Sequence, residues 1–342
     1  MEFVSMNEAG LFDWHERFDD LNNSGDPLVK LNNVVDWSLF VPELKKLRAK
    51  DRKSNAGRKP FDAILMFKIL ILQSLYNLSD DQTEFQIKDR LSFMRFLELS
   101  LKDRVPDAKT IWLFRENLTN AGLTKKLFER FDRFLRENGF SAQKGQIVDA
   151  SIVRAPKQRN SRDENKQIKE GQAPEDWSEN KKRQKDIDAR WVKKNGQNHY
   201  GYKNHIQIDV KNKLIRNYNV TEASTHDSQI FETLLDKKNS SKDVWADSAY
   251  RSEDKLEYLS DNGFRDKIQR KGCRNKKLSE REISGNRTRS KIRSRVEHIF
   301  GIQAQRAGNL ILRSIGKIRA EAKVGLRNLA YNIDRYSMLM AT

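Results

Sequence analysis

The spacing of hydrophobic and polar positions changes once along the chain, near residue 140. Before that point apolar residues recur every three or four positions, as on one face of a helix. Ile64, Phe67, Ile71, Leu72 and Leu75 make one such row, with the stem of Lys68 lying along it. Pro60 suits the first turn of that helix. Ser79, followed three residues later by Gln82, has the spacing of a capping box and predicts a second helix. The pattern breaks at residues 105–108 (VPDA), resumes over 109–121 until Gly122 stops it, and runs again over 125–137 to Asn138 and Gly139. Residues 1–57 carry two apolar clusters, one of Phe12, Trp14 and Phe18, the other of Trp37, Leu39, Phe40 and Leu44. The turn-type stretch 22–27 (NNSGDP) separates them, and short helices are expected on either side.

From Gln146 the period becomes 2, the spacing of strands. Residues 146–153 (QIVDASIV) place Asp149 among β-branched neighbours. Residues 154–198 follow, with 13 basic and 8 acidic side chains and only scattered apolar anchors such as Trp177 and Trp191. Alone, such a stretch buries little, so it is expected to be a charged insertion that is mobile or ordered by a partner. Strand patterns return over 200–210 and 214–220, joined as a hairpin at 211–213 (KNK). Thr225 or Asp227 is expected to cap a helix reaching Leu235. Residues 243–250 (DVWADSAY) end a short apolar run on Asp247, just before a turn. A helix over 253–259, a short strand over 264–268 and a long helix over 287–306 complete the reading. The order strand, strand, strand, helix, strand, helix, strand, helix is that of the ribonuclease-H-like fold. An α+β or α/β chain is therefore expected: a helical domain over 1–140, then a mixed-sheet catalytic domain over 141–342 with the insertion 154–198 after its first strand.

In that arrangement Asp149 lies on the first strand, Asp247 at the end of the fourth, and Glu297 on the long helix beside the row Ile292, Val296, Ile299. Three acids brought together in this way suit two divalent ions about 4 Å apart, which clamp the attacking and leaving oxygens of an in-line phosphoryl displacement. Only oxygen donors are offered, which favours Mg2+, with Mn2+ expected to substitute. Plainer readings compete. Asp149 is also placed to cap a turn, and Glu297 to pair with Arg293 one helical turn back. The flanking Ile147, Val148, Ile152 and Val153 make an idle carboxylate at 149 costly, and this favours a ligand role. Converging carboxylates without metal predict a raised pKa in at least one of them. Asp243 reads as a surface acid, Asp209 and Asp227 as reserve candidates, and His226 and His298 as structural or DNA-facing residues.

Charge supplies the partner. There are 66 lysines and arginines against 48 acids, a net +18, which favours a polyanion bound through its phosphates. Residues 265–295 alone hold 13 basic and 3 acidic side chains, next to the proposed acids. Within them Arg289 and Arg293 share a helix face with Glu297, and Lys203 is expected to reach a phosphate from a neighbouring strand. In the helical half, the segment 109–120 is the best groove-reading candidate, through Lys109, Trp112, Arg115 and Asn117, although a tryptophan there is more often core. Cys273 is the only cysteine, so no disulfide framework or cysteine zinc site is expected. The chain has no phosphate-binding glycine loop, no export signal, and no apolar run approaching the roughly 20 residues of a membrane span. No membrane partner and a cytoplasmic, nucleoid-associated location are expected.

The motifs GRKP (57–60), VPD (105–107), VDA (148–150), GYK (201–203), THDS (225–228), ADSAY (246–250) and RVE (295–297) with Phe300 stand in one order across most of the chain. In this the chain resembles bacterial insertion-sequence transposases of the DDE type, most closely the insertion-sequence-five family. The resemblance implies recognition of an element's terminal inverted repeats in double-stranded DNA, cleavage that frees 3′-hydroxyls, their transfer into target DNA, and a homodimer in the active complex. The related insertion-sequence-four pattern runs tyrosine, two residues, arginine, three residues, glutamate, six residues, lysine. Arg293 fits it, whereas Ser290 and Ala304 stand at the tyrosine and lysine places. Those roles then pass to others such as Tyr250, Lys291 or Arg306. Two alternatives remain at this point: a structure-specific nuclease that cuts without rejoining, and a DNA-binding repressor with a dead catalytic domain.

Overall fold

The computed structural model describes residues 13–48, 59–272, 277–308 and 310–341. Phe12, Gly57, Arg58 and Cys273, and the side chains of Trp14 and Arg306, lie outside the described residues. Eight helices come first: α1 (Asp13–Asn23), α2 (Pro27–Val34), α3 (Val41–Lys45), α4 (Ala63–Tyr76), α5 (Asp80–Asp89), α6 (Leu91–Leu97), α7 (Ala108–Asn120) and α8 (Leu123–Glu137). The second part runs β1 (Gln146–Arg154), α9 (Arg162–Lys169), α10 (Glu179–Gln184), β2 (Arg190–Lys194), β3 (Gln197–Asp209), β4 (Ile215–Glu222), α11 (Phe231–Leu234), β5 (Asp243–Trp245), α12 (Glu253–Asp261), β6 (Arg265–Asp266), α13 (Glu280–Ala307) and α14 (Lys317–Leu339).

Local chemistry sets the helix ends. Ser79 accepts from the Gln82 amide while the Gln82 side chain accepts from the Ser79 amide, the reciprocal box its spacing predicts. The helix expected from Pro60 begins at Ala63 instead, because the Asp62 carboxylate takes the amides of Ile64 and Leu65. The expected helix up to Leu235 shrinks to a 3-10 turn capped by His226 and the single turn of α11.

β1 is the central strand. It pairs antiparallel with β3, from Gln146 opposite Asp209 to Arg154 opposite Gly201, and parallel with β5, Ile147 opposite Trp245. β4 lies antiparallel beyond β3, and β6 parallel beyond β5. The spatial order β4-β3-β1-β5-β6, with three antiparallel strands followed by two parallel ones, is the ribonuclease-H-like sheet; β2 adds a further antiparallel partner to β3. At Gly201 the backbones come so close that a Cβ would stand 2.3 Å from the Val153 carbonyl oxygen, and its φ of +145° is one that L side chains rarely adopt.

The helical part does not stand apart from the sheet. One buried cluster runs from Leu28 through α4 and α8 to Ile206 and Ile208 of β3, Val296 of α13 and Tyr336 of α14. α4 is apolar nearly all round, and its buried run from Met66 to Gln73 is covered by other helices and by α14. Lys68 is partnered there, donating to the Glu98 carboxylate (2.7 Å) and the Phe96 carbonyl (3.3 Å). Arg216 of β4 reaches Asp132 of α8 at 2.8 Å, so an ion pair ties the same two parts together.

Two expectations are corrected. The helical pattern expected from sequence ends before Gly308, yet the last helix is α14, and Glu297 therefore lies on the penultimate one. α14 buries Asn328 and Asn332, which break its apolar pattern. Asn332 clamps the Ile215 amide and carbonyl (2.9 and 2.7 Å), and Asn328 exchanges bonds with Asn204 (3.0 Å). The insertion 154–198 is folded on the chain itself. The Ser161–Glu164 capping box starts α9, and Glu164 then takes the Trp177 indole N–H (2.6 Å) and the Lys181 ammonium (2.7 Å). The buried Asp186 accepts from the Tyr202 hydroxyl at 2.8 Å, which fastens the insertion to β3. Polar anchors thus replace the missing apolar core. Among the described residues no single helix is long and apolar enough to cross a membrane.

Gly201→Ala is expected to destabilise the protein by on the order of 2 to 4 kcal/mol in urea unfolding, since backbone atoms, not a movable side chain, fill the space. A loss near zero would mean that β1 and β3 do not cross this closely.

Candidate active site

Strand register brings the two aspartates together. Ile147 and Trp245 are the last parallel pair between β1 and β5, and side chains alternate faces along a strand. Two residues further on, Asp149 and Asp247 therefore follow on the same face. Beyond Trp245 the chain turns away, with Asp247 capping the turn 248–250 by accepting from the Ala249 amide. α13 crosses that face, held by Val296 and Ile299 in the core. One turn before Glu297 it delivers Arg293, whose guanidinium donates to Asp149 Oδ2 at 2.9 Å and to Glu297 Oε1 at 2.6 Å.

Burial pushes the Asp149 carboxyl up to about 6. The Ala150 amide at 2.8 Å and the Arg293 guanidinium pull it back, and the Asp247 charge pushes it further up. The rise expected from sequence is present, but desolvation comes first among its causes and repulsion between acids is secondary. Tyr250 is fully buried beside this group, and its hydroxyl has no hydrogen-bond partner among the described residues. Burial, then the charges of Asp149, Asp227 and Asp247, keep its phenol protonated. A buried donor among three carboxylates with nothing to donate to marks a place that a further polar species would complete.

The other candidates divide by face. Lys203 lies opposite Ile152 in the ladder, one residue out of step with the Asp149 face. Its ammonium holds the Asp227 carboxylate (2.8 Å) and the Thr225 carbonyl (2.7 Å), so it is an internal brace and not a phosphate contact. His205 lies beside it, fully buried, donating to or accepting from Thr221 Oγ1 at 2.9 Å. Burial holds its imidazole down to about 4, against the pull of Asp227. Tyr250 is too buried to touch DNA. Arg115 is also engaged internally, bidentate on Asp80 at 2.6 and 2.8 Å, whereas Lys109 is exposed. Arg289 sits partly buried on α13 near Asn286. Asp209 is a structural acid, buried under Arg216 (2.9 Å) and the amides of Asn212 and Leu214. Asp243 pairs with Arg265 at 2.8 Å on the outside of the sheet. Ser290, at the expected tyrosine place, accepts from Gln269 at 2.6 Å.

Among the described residues no three His, Cys, Asp or Glu side chains stand close enough together to hold a metal ion. Arg293 stands between Asp149 and Glu297 and satisfies both. In kind, the residues fit a hard divalent cation: they offer carboxylate oxygens only, one of them desolvated, with the unpartnered Tyr250 hydroxyl at hand. Asp149 and Asp247 are the pair that would hold it, with Glu297 available once Arg293 moves. Sequence spacing suggested the Arg293–Glu297 pair but not that the same guanidinium spans to β1.

A sheet of this order, with Asp149 on its central strand and Asp247 just past the parallel neighbour β5, is that of a ribonuclease-H-like domain. A family described as "Transposase DDE domain" matches residues 141–333, and one described as "Transposase domain (DUF772)" matches residues 16–117. The chain belongs to the DDE transposases, and the pairing of these two domains is typical of insertion-sequence-five-like members. Its helical and mixed-sheet architecture is consistent with that catalytic domain. Among solved structures it is similar to a piggyBac transposase synaptic complex with hairpin DNA. That similarity is 13% identity over 92% of this chain and 75% of that one, with a TM-score of 0.45.

Because the folded-state value of Asp149 lies above that of the unfolded chain, the native state holds its proton more tightly. That contribution is complete below about pH 4 and is lost as pH rises through about 6. Metal-free protein should therefore lose on the order of 2 to 3 kcal/mol relative to Asp149→Asn across that window. Urea unfolding of both proteins at the two ends of the window measures it; parallel pH profiles would remove the buried, ionising carboxylate from the account.

Proposed function

We propose that this transposase binds the terminal inverted repeats of its own insertion sequence, cleaves the DNA at the ends, and transfers the resulting 3′-hydroxyls into target DNA. The observation that carries the reading is the placing of Asp149 on the central strand and Asp247 just past its parallel neighbour, with Arg293 pairing Asp149 to Glu297. Family membership supports divalent-metal chemistry, and the all-oxygen donor set favours Mg2+.

The chain's own residues divide the work. Asp149, Asp247 and Glu297 are the ligand set, and the bound cation would polarise the scissile phosphate and lower the pKa of the attacking water or hydroxyl. Arg293 holds Asp149 and Glu297 in place before binding, and a phosphate oxygen offers its guanidinium a new partner of the same geometry. Tyr250 supplies one buried O–H to whatever oxygen occupies the centre. The Lys203–Asp227 pair, with His205, fixes the opposite face of β3 and the turn that leads towards Tyr250. The basic side chains of 265–295 neutralise the phosphates that must approach the acids. Two ends have to be processed together, which favours a homodimer on double-stranded DNA.

The decisive experiment incubates the protein and Mg2+ with a plasmid carrying two element ends and looks for both end cleavage and joined strand-transfer products. Cleavage without joining would reduce the protein to a nuclease, and neither product would leave a DNA binder. Asp247→Ala is expected to abolish cleavage, by at least about 1,000-fold given the scale of metal-assisted rate enhancement, while binding the end duplex as before. Cleavage that survives in this variant sinks the ligand assignment.

A further inference from the structure

A second basic site shares no residue with the acid cluster. A cleft of 420 Å3 opens where three parts of the chain meet: the helical part through Trp112 and Arg115, the insertion through Arg183, and the α13–α14 connection with α14 through Arg313, Ser314 and Lys323. Two carboxylates also line it, and both are taken. Asp80 is bidentate on Arg115, and both Glu116 oxygens accept from the single Arg319 Nε–H at 2.8 and 3.1 Å. Arg183, Arg313 and Lys323 form no hydrogen bond or ion pair with the described residues, and with Asp80 and Glu116 already paired to arginines the cleft carries a net positive charge.

Arg183 and Arg313 stand exposed at the mouth of the cleft, and Lys323 lies deeper. Lys323 is half-buried, and burial, then the neighbouring Arg115 and Arg313 charges, lower its pKa against the pull of Asp80. The Ser314 hydroxyl is buried and has no partner among the described residues. An ammonium, two guanidiniums and an orphaned hydroxyl around one hollow are the donor set of an oxyanion with several acceptor oxygens. At its rim Trp112 is about half exposed (48%), a flat aromatic platform beside the cations. Phosphate next to an aromatic ring is the chemistry of a nucleotide unit, and the net +18 of the chain favours a polymer of them over a free anion.

We propose that this cleft binds a phosphodiester of DNA, with the adjoining base or sugar against Trp112, so that one strand is held by the helical part, the insertion and α14 together. The site rests on the transposase reading for its ligand but not on the acids for its action. Binding is therefore measured without metal, in EDTA, in the Asp247→Ala background and on a random-sequence duplex, because phosphate binding is independent of sequence. Arg183→Ala with Arg313→Ala is expected to raise Kd about tenfold and to flatten the slope of log K against log salt by about 0.9 for each phosphate that the variant no longer neutralises. Unchanged affinity and slope overturn the site. Should the double variant unfold at lower temperature than its parent, tryptophan emission replaces it. DNA is expected to quench wild-type fluorescence more than that of Trp112→Phe, and equal quenching is again a refutation. Inorganic phosphate that raises the melting temperature of the parent, while the arginine variants leave the DNA salt slope intact, identifies a free-anion site and overturns the DNA assignment. Failure here with intact Mg2+-dependent cleavage removes only the cleft; an intact salt effect without cleavage removes only the strand-transfer chemistry.

Discussion

A carboxylate on the central strand of a sheet, covered by a helix, resists ionisation, and donors beside it offset only part of that penalty. For Asp149 they are the Ala150 amide and Arg293, which arrives 144 residues later on α13 and reaches it at 2.9 Å. The pairing constrains more than one side chain. It sets the rotation of α13 on the sheet, because the helix must turn Arg293 inward while Val296 and Ile299 fill the core and Glu297 stays at the rim. It also leaves the site with a cation of its own in the space between two of the three acids. Removing either partner of such a pair leaves an uncompensated charge.

The second constraint is the shared core. α4 would be insoluble as part of a free-standing helical module, since its apolar surface extends round the helix and α14 closes it. The N-terminal helices are therefore fixed relative to the acids by the same packing that holds the sheet. Gly325 shows how close this packing is: an added Cβ would lie 2.3 Å from the Tyr218 hydroxyl of β4 and 2.9 Å from the Thr124 methyl of α8. A rigid joint of this kind suits a protein that must hold DNA in one place and act on it in another, since loose coupling would blur the geometry of attack.

Much of the local architecture is legible in the residues. The change of period near 140, the Ser79–Gln82 box, the hairpin between β3 and β4, and the placing of Asp149 on a strand with Asp247 just past one all follow from short-range rules. Those rules fail where polar side chains do the packing. α14 escapes them because Asn328 and Asn332 interrupt its apolar row. The insertion does not read as a folded unit because Glu164, Trp177 and Asp186 build its interior from hydrogen bonds. Lys203 has the look of a phosphate contact until ladder register turns it to the other face.

The sequence by itself therefore determined most of the elements up to α13, the strand that carries Asp149 and the one that precedes Asp247, the helix that carries Glu297, the excess of positive charge and the family pattern. Each depends on spacing within a few residues or on composition. Only the tertiary structure decided that Arg293 bridges two of the acids, that Arg115 and Lys203 are spent on Asp80 and Asp227, and that three cations from separate elements face one cleft. Those facts depend on which residues meet across long stretches of chain, and on which charges lose their water in doing so.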